Sequence, residues 1–488
     1  MSKRTRREFL EDSMFATAAV VAAGSSGPLF AAEEKQSRSP NEKLGVAVVG
    51  VNGRGGTHIG AFAGRKDTDI LYICDIDSDV GNRRAEEVGK KQGGLKPIWE
   101  ADLRKVLEDK RVDIVTIATP NHWHALASIW AIQAGKDVYV EKPVSHNVSE
   151  GRRVVEAARK YQRICQTGTQ SRSNPGMISA MEFVLAGKIG EVKLARGLCY
   201  KPRGSIGPRG EYQIPSHVNY DLWSGPAPLL PLTRKQFHYD WHWQWAYGNG
   251  DLGNQGIHQM DIARWGLGVK TLSKSVLSYG GRFGYEDAGE TANTQVIIHD
   301  YGDKSLVFEV RGLKSAALKG ASVGVIFEGS DGYVVMPKYD GGAAFDKDGQ
   351  LVQEFKGGGE DEHFANFLRA VRSRNVKELN ADIEEGHISS ALCHTGNISY
   401  RLGEEVPAGE ALTRLANFKT TDNVKATLDR TLEHLADNKV DPATMKVRIG
   451  QPLACDPVAE NFPGNDAANQ QLTREYRAPF VVPAAGKV

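Results

Sequence analysis

Cysteine is scarce in this sequence. Five residues, Cys74, Cys165, Cys199, Cys393 and Cys455, are scattered over 488 positions, odd in number and with no Cys-x-x-Cys pair. Neither a zinc ribbon nor a dithiol redox motif can be built from them. Net charge is nearly absent as well: 61 Lys+Arg against 60 Asp+Glu leave a formal +1. The electrostatic footprint of a nucleic-acid or anionic-membrane partner is missing. Nothing in the body of the chain approaches the roughly 20-residue apolar run that spans a bilayer, and no internal repeat is visible. What is present is 40% hydrophobic residues over a long chain, enough to bury substantial cores in two domains.

The N-terminus has its own texture. Thr5-Arg6-Arg7-Glu8-Phe9-Leu10 precedes a mildly apolar, Ala-rich stretch from Met14 to Ala23, then Gly and Ser. A basic segment before a short apolar one reads as an export signal, and the paired arginines point to the twin-arginine route. The match to that route's pattern departs at Glu11, where Lys is usual. Residues 1–32 are therefore expected to be a signal peptide handled by the twin-arginine translocation machinery, giving a periplasmic protein. Cargo of that route folds before transport, which agrees with free, buried cysteines. Residues 33–43 are polar, contain Pro40 and read as a linker.

Short apolar runs then alternate with helical spacing. Leu44–Val49, Ile70–Cys74, Asp113–Ala118 and Asp137–Val140 suit strands buried on both faces. Helices are expected from Thr57, over 78–91 and around 123–134, the last stopping at Gly135. This alternation predicts an α/β fold, a doubly wound parallel sheet over residues 44–165. From residue 166 the strand candidates become half-polar, as in Leu194–Tyr200, Thr294–His299 and Ser305–Val310. They predict an α+β domain over 166–400 with a large open, mostly antiparallel sheet covered on one face. Residues 401–488 form a C-terminal extension, helical over about 421–437, that wraps over the core or joins subunits.

After the first strand comes Gly50-Val51-Asn52-Gly53-Arg54-Gly55. Small residues between a buried strand and a helix let backbone N–H groups approach a pyrophosphate, and Asn at the second glycine position tolerates positive φ. Asp75 ends the next strand. A carboxylate there accepts from both ribose hydroxyls and repels a 2′-phosphate, favouring NAD over NADP. The other role open to Asp75 is N-cap of the following helix.

Two further blocks, Thr119-Pro120-Asn121-His122-Trp123-His124-Ala125 and Ala134-Gly135-Lys136-Asp137-Val138-Tyr139-Val140-Glu141-Lys142-Pro143, closely resemble the glucose–fructose oxidoreductase/inositol dehydrogenase (Gfo/Idh/MocA) family. The resemblance implies a Rossmann domain, NAD and a sugar or polyol substrate. It extends the cofactor set of Gly50, Asn52, Gly53, Arg54, Gly55 and Asp75 to Thr119, Pro120, Asn121, His122 and Glu141. It places Lys142 beside nicotinamide and the substrate hydroxyl, and His258 as the acid/base of the second domain. The aspartate that the family carries one turn before this histidine is replaced by Asn254, able to position a hydroxyl but not to take a proton. Asp251 and Asp261 are nearby carboxylates able to compensate. The resemblance also implies pairing into dimers or tetramers.

Around the substrate the candidates are Gln170 and Arg172, with Asp261, Trp241 and Trp243. In Phe237–Trp245, an extended chain would put Trp241, Trp243 and Trp245 on one face, suited to the C–H face of a sugar, or to a core cluster. Its His/Asp alternation lacks a firm third ligand, so no metal is expected. Two reactions remain open: net hydride transfer with a tightly held, recycled NAD, and glycoside cleavage through transient oxidation. A non-catalytic sugar-binding protein is disfavoured because Lys142 and His258 are both present.

Overall fold

The computed structural model describes residues 43–488 except 442. The expected signal peptide and nearly all of the linker lie outside the described residues. Four strands of the first sheet fall where the apolar runs predict, and two short ones, Ile98–Glu100 and Cys165–Thr167, are added by the structure. β1 (Leu44–Val49), β2 (Thr68–Cys74), β3 (Ile98–Glu100), β4 (Ile114–Ile117), β5 (Asp137–Val140) and β6 (Cys165–Thr167) form a parallel sheet in the order β3-β2-β1-β4-β5-β6. Every residue of β1, β4 and β5 is buried, as strands covered by helices on both faces require.

Local chemistry sets the helix ends. Asp77 accepts from the Asp79 and Val80 amides (both 3.0 Å) and starts Ser78–Lys91. Asn147 caps Val148–Lys160 through the Glu150 amide. The helix Asn121–Gln133 gives way to Gly135, whose φ of +80° suits glycine.

The second sheet has eleven strands. β7 (Val192–Tyr200), β8 (Ser275–Gly281), β9 (Thr294–Asp300), β10 (Ser305–Arg311), β11 (Val323–Gly329), β12 (Gly332–Lys338), β13 (Gly341–Asp346), β14 (Leu351–Lys356), β15 (Glu404–Pro407) and β16 (Lys446–Ile449) run in the order β14-β13-β12-β11-β7-β10-β9-β8-β16-β15. β17 (Leu453–Ala454) pairs with β8. All pairings are antiparallel except β10 with β7.

One expectation fails here. β9 and β10 are buried along their whole length, so the sheet centre is covered on both faces. The helices Ile257–Leu267 and Ile383–Arg401 cover one side. On the other, Leu428 and Leu435 of Val424–Asp437 pack on Leu277, Tyr279, Ile298 and Val307. The half-polar alternation reflects a buried ionic cluster instead of solvent. Arg196 pairs with Glu309 (2.7 Å), and Arg430 also reaches Glu309 (2.9 Å).

The tail continues past this sheet onto the first domain. Phe462 joins the core of the second sheet, whereas Phe480, Val482 and Val488 join that of the first. Phe480 meets Trp123 and Trp130 at centroid distances of 5.6 and 6.3 Å.

Candidate active site

A cleft of about 810 Å³ opens at the C-terminal ends of β1, β2, β4 and β5, facing residues of the second domain. This is where an open α/β sheet leaves a crevice for ligand. Its floor begins with the glycine loop. Gly50 has φ +78°, and a Cβ there would lie 2.8 Å from the Ala118 carbonyl and the Thr119 amide. The left-handed turn residue is therefore Gly50; Asn52 does not adopt positive φ, correcting the reason given for its tolerance. Asn52, Gly53 and Arg54 line the cleft, while Gly55 lies behind them. A Cβ on Gly55 would stand 2.0 Å from the Gly50 carbonyl oxygen, so its role is close approach of helix to loop.

The helix Gly55–Phe62 has no side-chain cap and no acidic residue in its first turn. Its partial positive end fits an anionic pyrophosphate, while the Gly56 and Thr57 amides are taken by the Gly53 and Arg54 carbonyls (both 2.9 Å). Asp75 sits on the cleft wall. Its two oxygens accept from the Val51 (2.7 Å) and Asp77 (3.0 Å) amides, one each, leaving lone pairs for ribose hydroxyls. Burial pushes its pKa up against those hydrogen bonds. The capping role belongs to Asp77. Thr119, Pro120 and Asn121 also line the cleft.

His122 does not. It is fully buried, with Nε2 2.8 Å from the Trp223 carbonyl, and burial pushes its pKa down to about 3. Its assignment to the cofactor is corrected: it anchors a segment of the second domain. That segment is stitched to the end of β2, His217 accepting from the Ser78 amide and Asn219 donating to Ile76 (both 2.9 Å). Its Leu222, Trp223, Tyr239 and Trp241 line the cleft opposite the glycine loop.

Glu141 and Lys142 follow β5 into the cleft. Glu141 accepts from Arg54 Nε (2.8 Å), and its Oε1 lies 3.2 Å from His58 Nε2. Burial would raise its pKa, but the His58 hydrogen bond and the Arg54 charge hold it well below the usual carboxylate range. Gln170 lines the cleft 3.4 Å from the same oxygen. Lys142 Nζ donates to the Asn254 carbonyl at 2.8 Å. Burial lowers its pKa, and Arg54, Lys201 and Arg203 add to the shift against Glu141.

Asn254 lies in a π-helical segment, Leu252–Gly256, that runs into Ile257–Leu267. Such segments disturb the helical hydrogen-bond ladder; here a main-chain oxygen meets the lysine. Asn254, Gln255 and His258 all line the cleft. The His258 ring lies 4.9 Å from that of Tyr339, and burial together with Lys142 lowers its pKa well below the ordinary histidine value. Both candidate acid/base groups are thus biased toward their neutral forms.

Three substrate candidates are corrected. Arg172 and Asp261 are buried, with Arg172 Nε 2.8 Å from one Asp261 oxygen and Nη2 2.9 Å from the other. Arg172 also pairs with Glu385 (3.0 Å) and Asp261 also accepts from the Ser389 hydroxyl (2.7 Å), and neither lines the cleft. The extended alternation of Trp241 and Trp243 is not formed, because Asp240–Trp243 is a 3₁₀ turn. Trp241 faces the cleft, while Trp243 is buried beneath Arg203.

The structure adds His242 and Tyr339. His242 stacks on Trp241 at 3.7 Å, and its Nδ1 lies 2.6 Å from the Tyr239 carbonyl. Burial pushes its pKa down to about 3. With Nδ1–H donating to that carbonyl, Nε2 is a lone-pair acceptor. His242 stands within the aromatic stretch that the sequence marks out; Tyr339, on a hairpin, carries no local signal.

Residues 44–169 match the model of the oxidoreductase family, NAD-binding Rossmann fold, and residues 207–434 match its C-terminal alpha/beta domain. The chain belongs to the Gfo/Idh/MocA oxidoreductase family. The levoglucosan dehydrogenase of Pseudarthrobacter phenanthrenivorans is 25% identical over 242 residues, 49% of this chain and 54% of the relative. The alpha-N-acetylgalactosaminidase of Shewanella oneidensis is 27% identical over 154 residues, 31% and 34% of the two. The chain spans about half the length of these curated relatives, or less. The solved WlbA dehydrogenase from Bordetella pertussis, in complex with NADH and UDP-GlcNAcA, has a TM-score of 0.54 at 20% identity, covering 72% of this chain and 94% of that one. Levoglucosan dehydrogenase in complex with NADH and levoglucosan has a TM-score of 0.55 at 16% identity, covering 81% and 98%. These structural likenesses establish a shared fold.

Proposed function

We propose that this Gfo/Idh/MocA protein is an NAD-dependent oxidoreductase acting on a sugar or polyol hydroxyl, with its cofactor retained through successive turnovers. One observation carries the reading: Lys142 and His258, both shifted toward neutrality, face a single cleft that runs from the glycine loop to an aromatic wall. Bound NAD(H) supplies hydride chemistry at its nicotinamide ring. Neutral Lys142 takes the proton of the reacting hydroxyl, with His258 as its partner. Trp241 offers a ring face to substrate carbons, and His242 Nε2 accepts from a neighbouring hydroxyl. Retention is favoured by the segment of the second domain that lies across the cleft from the loop. Mass spectrometry of small molecules released from natively purified protein tests this, since NAD should co-purify. Adding sugars to that protein should then change the nicotinamide absorbance.

A second reading is redox-neutral glycoside cleavage, favoured by the matches to alpha-N-acetylgalactosaminidase and glycosyl hydrolase family 109 proteins and by the aromatic wall. Oxidising a ring hydroxyl, with bound NAD as the hydride acceptor, would acidify the neighbouring C–H and permit elimination of the glycosidic group; addition of water and return of the hydride would leave the cofactor unchanged overall. Release from a chromogenic N-acetylgalactosaminide without added NAD separates it from net dehydrogenation.

The Thr5–Leu10 motif supports export by the twin-arginine route to the periplasm, tested by cell fractionation of wild type and an Arg6→Lys/Arg7→Lys variant. Pairing into a homo-oligomer is supported by the family resemblance and tested by light scattering.

A further inference from the structure

Behind the wall of the catalytic cleft lies a second cavity of about 770 Å³. The partition is thin: Asn121 lines the first and Asn249 the second, and their side-chain amides bond at 3.0 Å. The two spaces are otherwise unlike. The second contains no lysine, and its only acid is the exposed Glu475. Three arginines reach it, of which Arg477 is engaged by Asp221.

Arg401 is the distinctive member. It ends the helix Ile383–Arg401, and its guanidinium lies 5.2 Å from the Trp245 ring centre. Among the described residues its guanidinium makes no hydrogen bond and no ion pair within 4.0 Å; the nearby Glu290 carboxylate acts on it from farther off and is itself engaged by Arg209 and the Trp245 amide. Arg474 is only partly engaged. Its Nη1 donates to the Ala246 carbonyl at 2.8 Å, but Nε stays 3.7 Å from Glu150, and Nε and Nη2 make no hydrogen bond. Orphaned polar atoms gather in the same wall, including Nδ1 of His394, a side chain only 3% exposed, and Oε1 of Gln471. Buried groups of this kind normally find a partner in water or ligand.

We propose that this cavity is a binding site for a sugar carboxylate, separate from the catalytic cleft. An unpaired guanidinium presents the planar fork that a carboxylate fits. Trp245 and Tyr476 give aromatic surface for sugar C–H groups, while histidine and amide groups meet hydroxyls. Nothing in the wall resembles the Lys142–His258 pair, so the site binds and does not transform. Asn249 links it to the cleft, since its Nδ2 donates to the His146 carbonyl (3.0 Å) while its Oδ1 holds Asn121. The proposal does not depend on which reaction the cleft performs.

Titration calorimetry of the full chain with D-glucuronate tests it. One saturable site is expected, unchanged in a Lys142→Ala/His258→Ala variant. Arg401→Ala should weaken it by about tenfold or more, as loss of a charge-assisted contact does, and Arg401→Lys by less. Arg401 is exposed at a helix end, so both variants are expected to fold, and matching melting curves will verify that. No saturable binding, or affinity indifferent to Arg401→Ala, overturns the proposal. Binding lost in the Lys142/His258 variant assigns the ligand to the catalytic cleft and overturns it as well. Equal affinity for D-glucose or inorganic phosphate refutes the sugar-carboxylate class.

Discussion

Replacing Gly55 by alanine tests whether close approach of helix and glycine loop builds the cofactor site. In a helix, Gly→Ala ordinarily stabilises by roughly 0.5–1 kcal/mol, because alanine loses less backbone entropy. At Gly55 the new Cβ would sit 2.0 Å from the Gly50 carbonyl oxygen. Real contacts of this kind stay beyond 3.0 Å, so helix and loop must separate by about 1 Å, an overpacking that costs about 1–3 kcal/mol. The propensity gain is outweighed, and a net loss of about 1–2 kcal/mol is expected. The displacement also withdraws the uncapped helix N-terminus from the pyrophosphate, so NAD affinity should fall by about tenfold or more.

Gly60 is the internal control. It lies in the same helix, and a Cβ there meets nothing within 4 Å. Gly60→Ala should therefore stabilise slightly and leave NAD affinity unchanged. Chemical denaturation and calorimetric titration with NAD on cofactor-stripped protein give both quantities. If Gly55→Ala matches Gly60→Ala in stability and NAD affinity, the close-approach argument is wrong.

Lys142→Met and His258→Ala should each lower turnover by about 10²–10⁴-fold while NAD still binds, as expected for removal of acid/base groups; steady-state rates and cofactor titration check the split. Because burial lowers the Lys142 pKa, hydroxyl oxidation should rise with pH as Lys142 loses its proton and fall at acid pH. Lys142→Met should abolish that limb of the pH–rate profile, and an unchanged limb would assign the proton transfer elsewhere. Arg172→Ala leaves the buried Asp261 carboxylate with only the Ser389 hydroxyl (2.7 Å) and the Arg264 guanidinium 3.8 Å away, a loss of about 3 kcal/mol at the lower end for a broken buried pair, read by denaturant unfolding; a near-neutral result would place the pair in solvent. Asp75→Ser removes the group that repels a 2′-phosphate and should shift preference toward NADP in paired KM measurements.

Four strands of the first sheet were legible because their buried apolar runs, such as Leu44–Val49, announce themselves without tertiary knowledge; the three-residue strands β3, which is partly exposed, and β6 carry no such run. The glycine loop was legible for a related reason: a turn and an N–H cradle are local devices whose residues stand next to each other in the chain, and Asp75 was legible as the acid ending the next strand. Lys142 and His258 became readable through the family motifs, not through spacing alone.

Other features depend on groups brought together from far apart. Arg172 looks like a ligand-seeking cation in sequence, but Asp261, 89 residues away, satisfies it. His122 sits inside a cofactor motif, yet Trp223 turns it into an anchor. The alternation in β9 and β10 signals an exposed face only if nothing covers it, and the cover comes from the helix Val424–Asp437. The sequence alone marked out the main strands of the parallel sheet, the glycine loop and the strand-ending acid that favours NAD, because each shows in a short local pattern of residue types. Tertiary structure decided which charges are spent on one another and which still face the cleft, because a buried charge takes its partner from whichever segment packs against it.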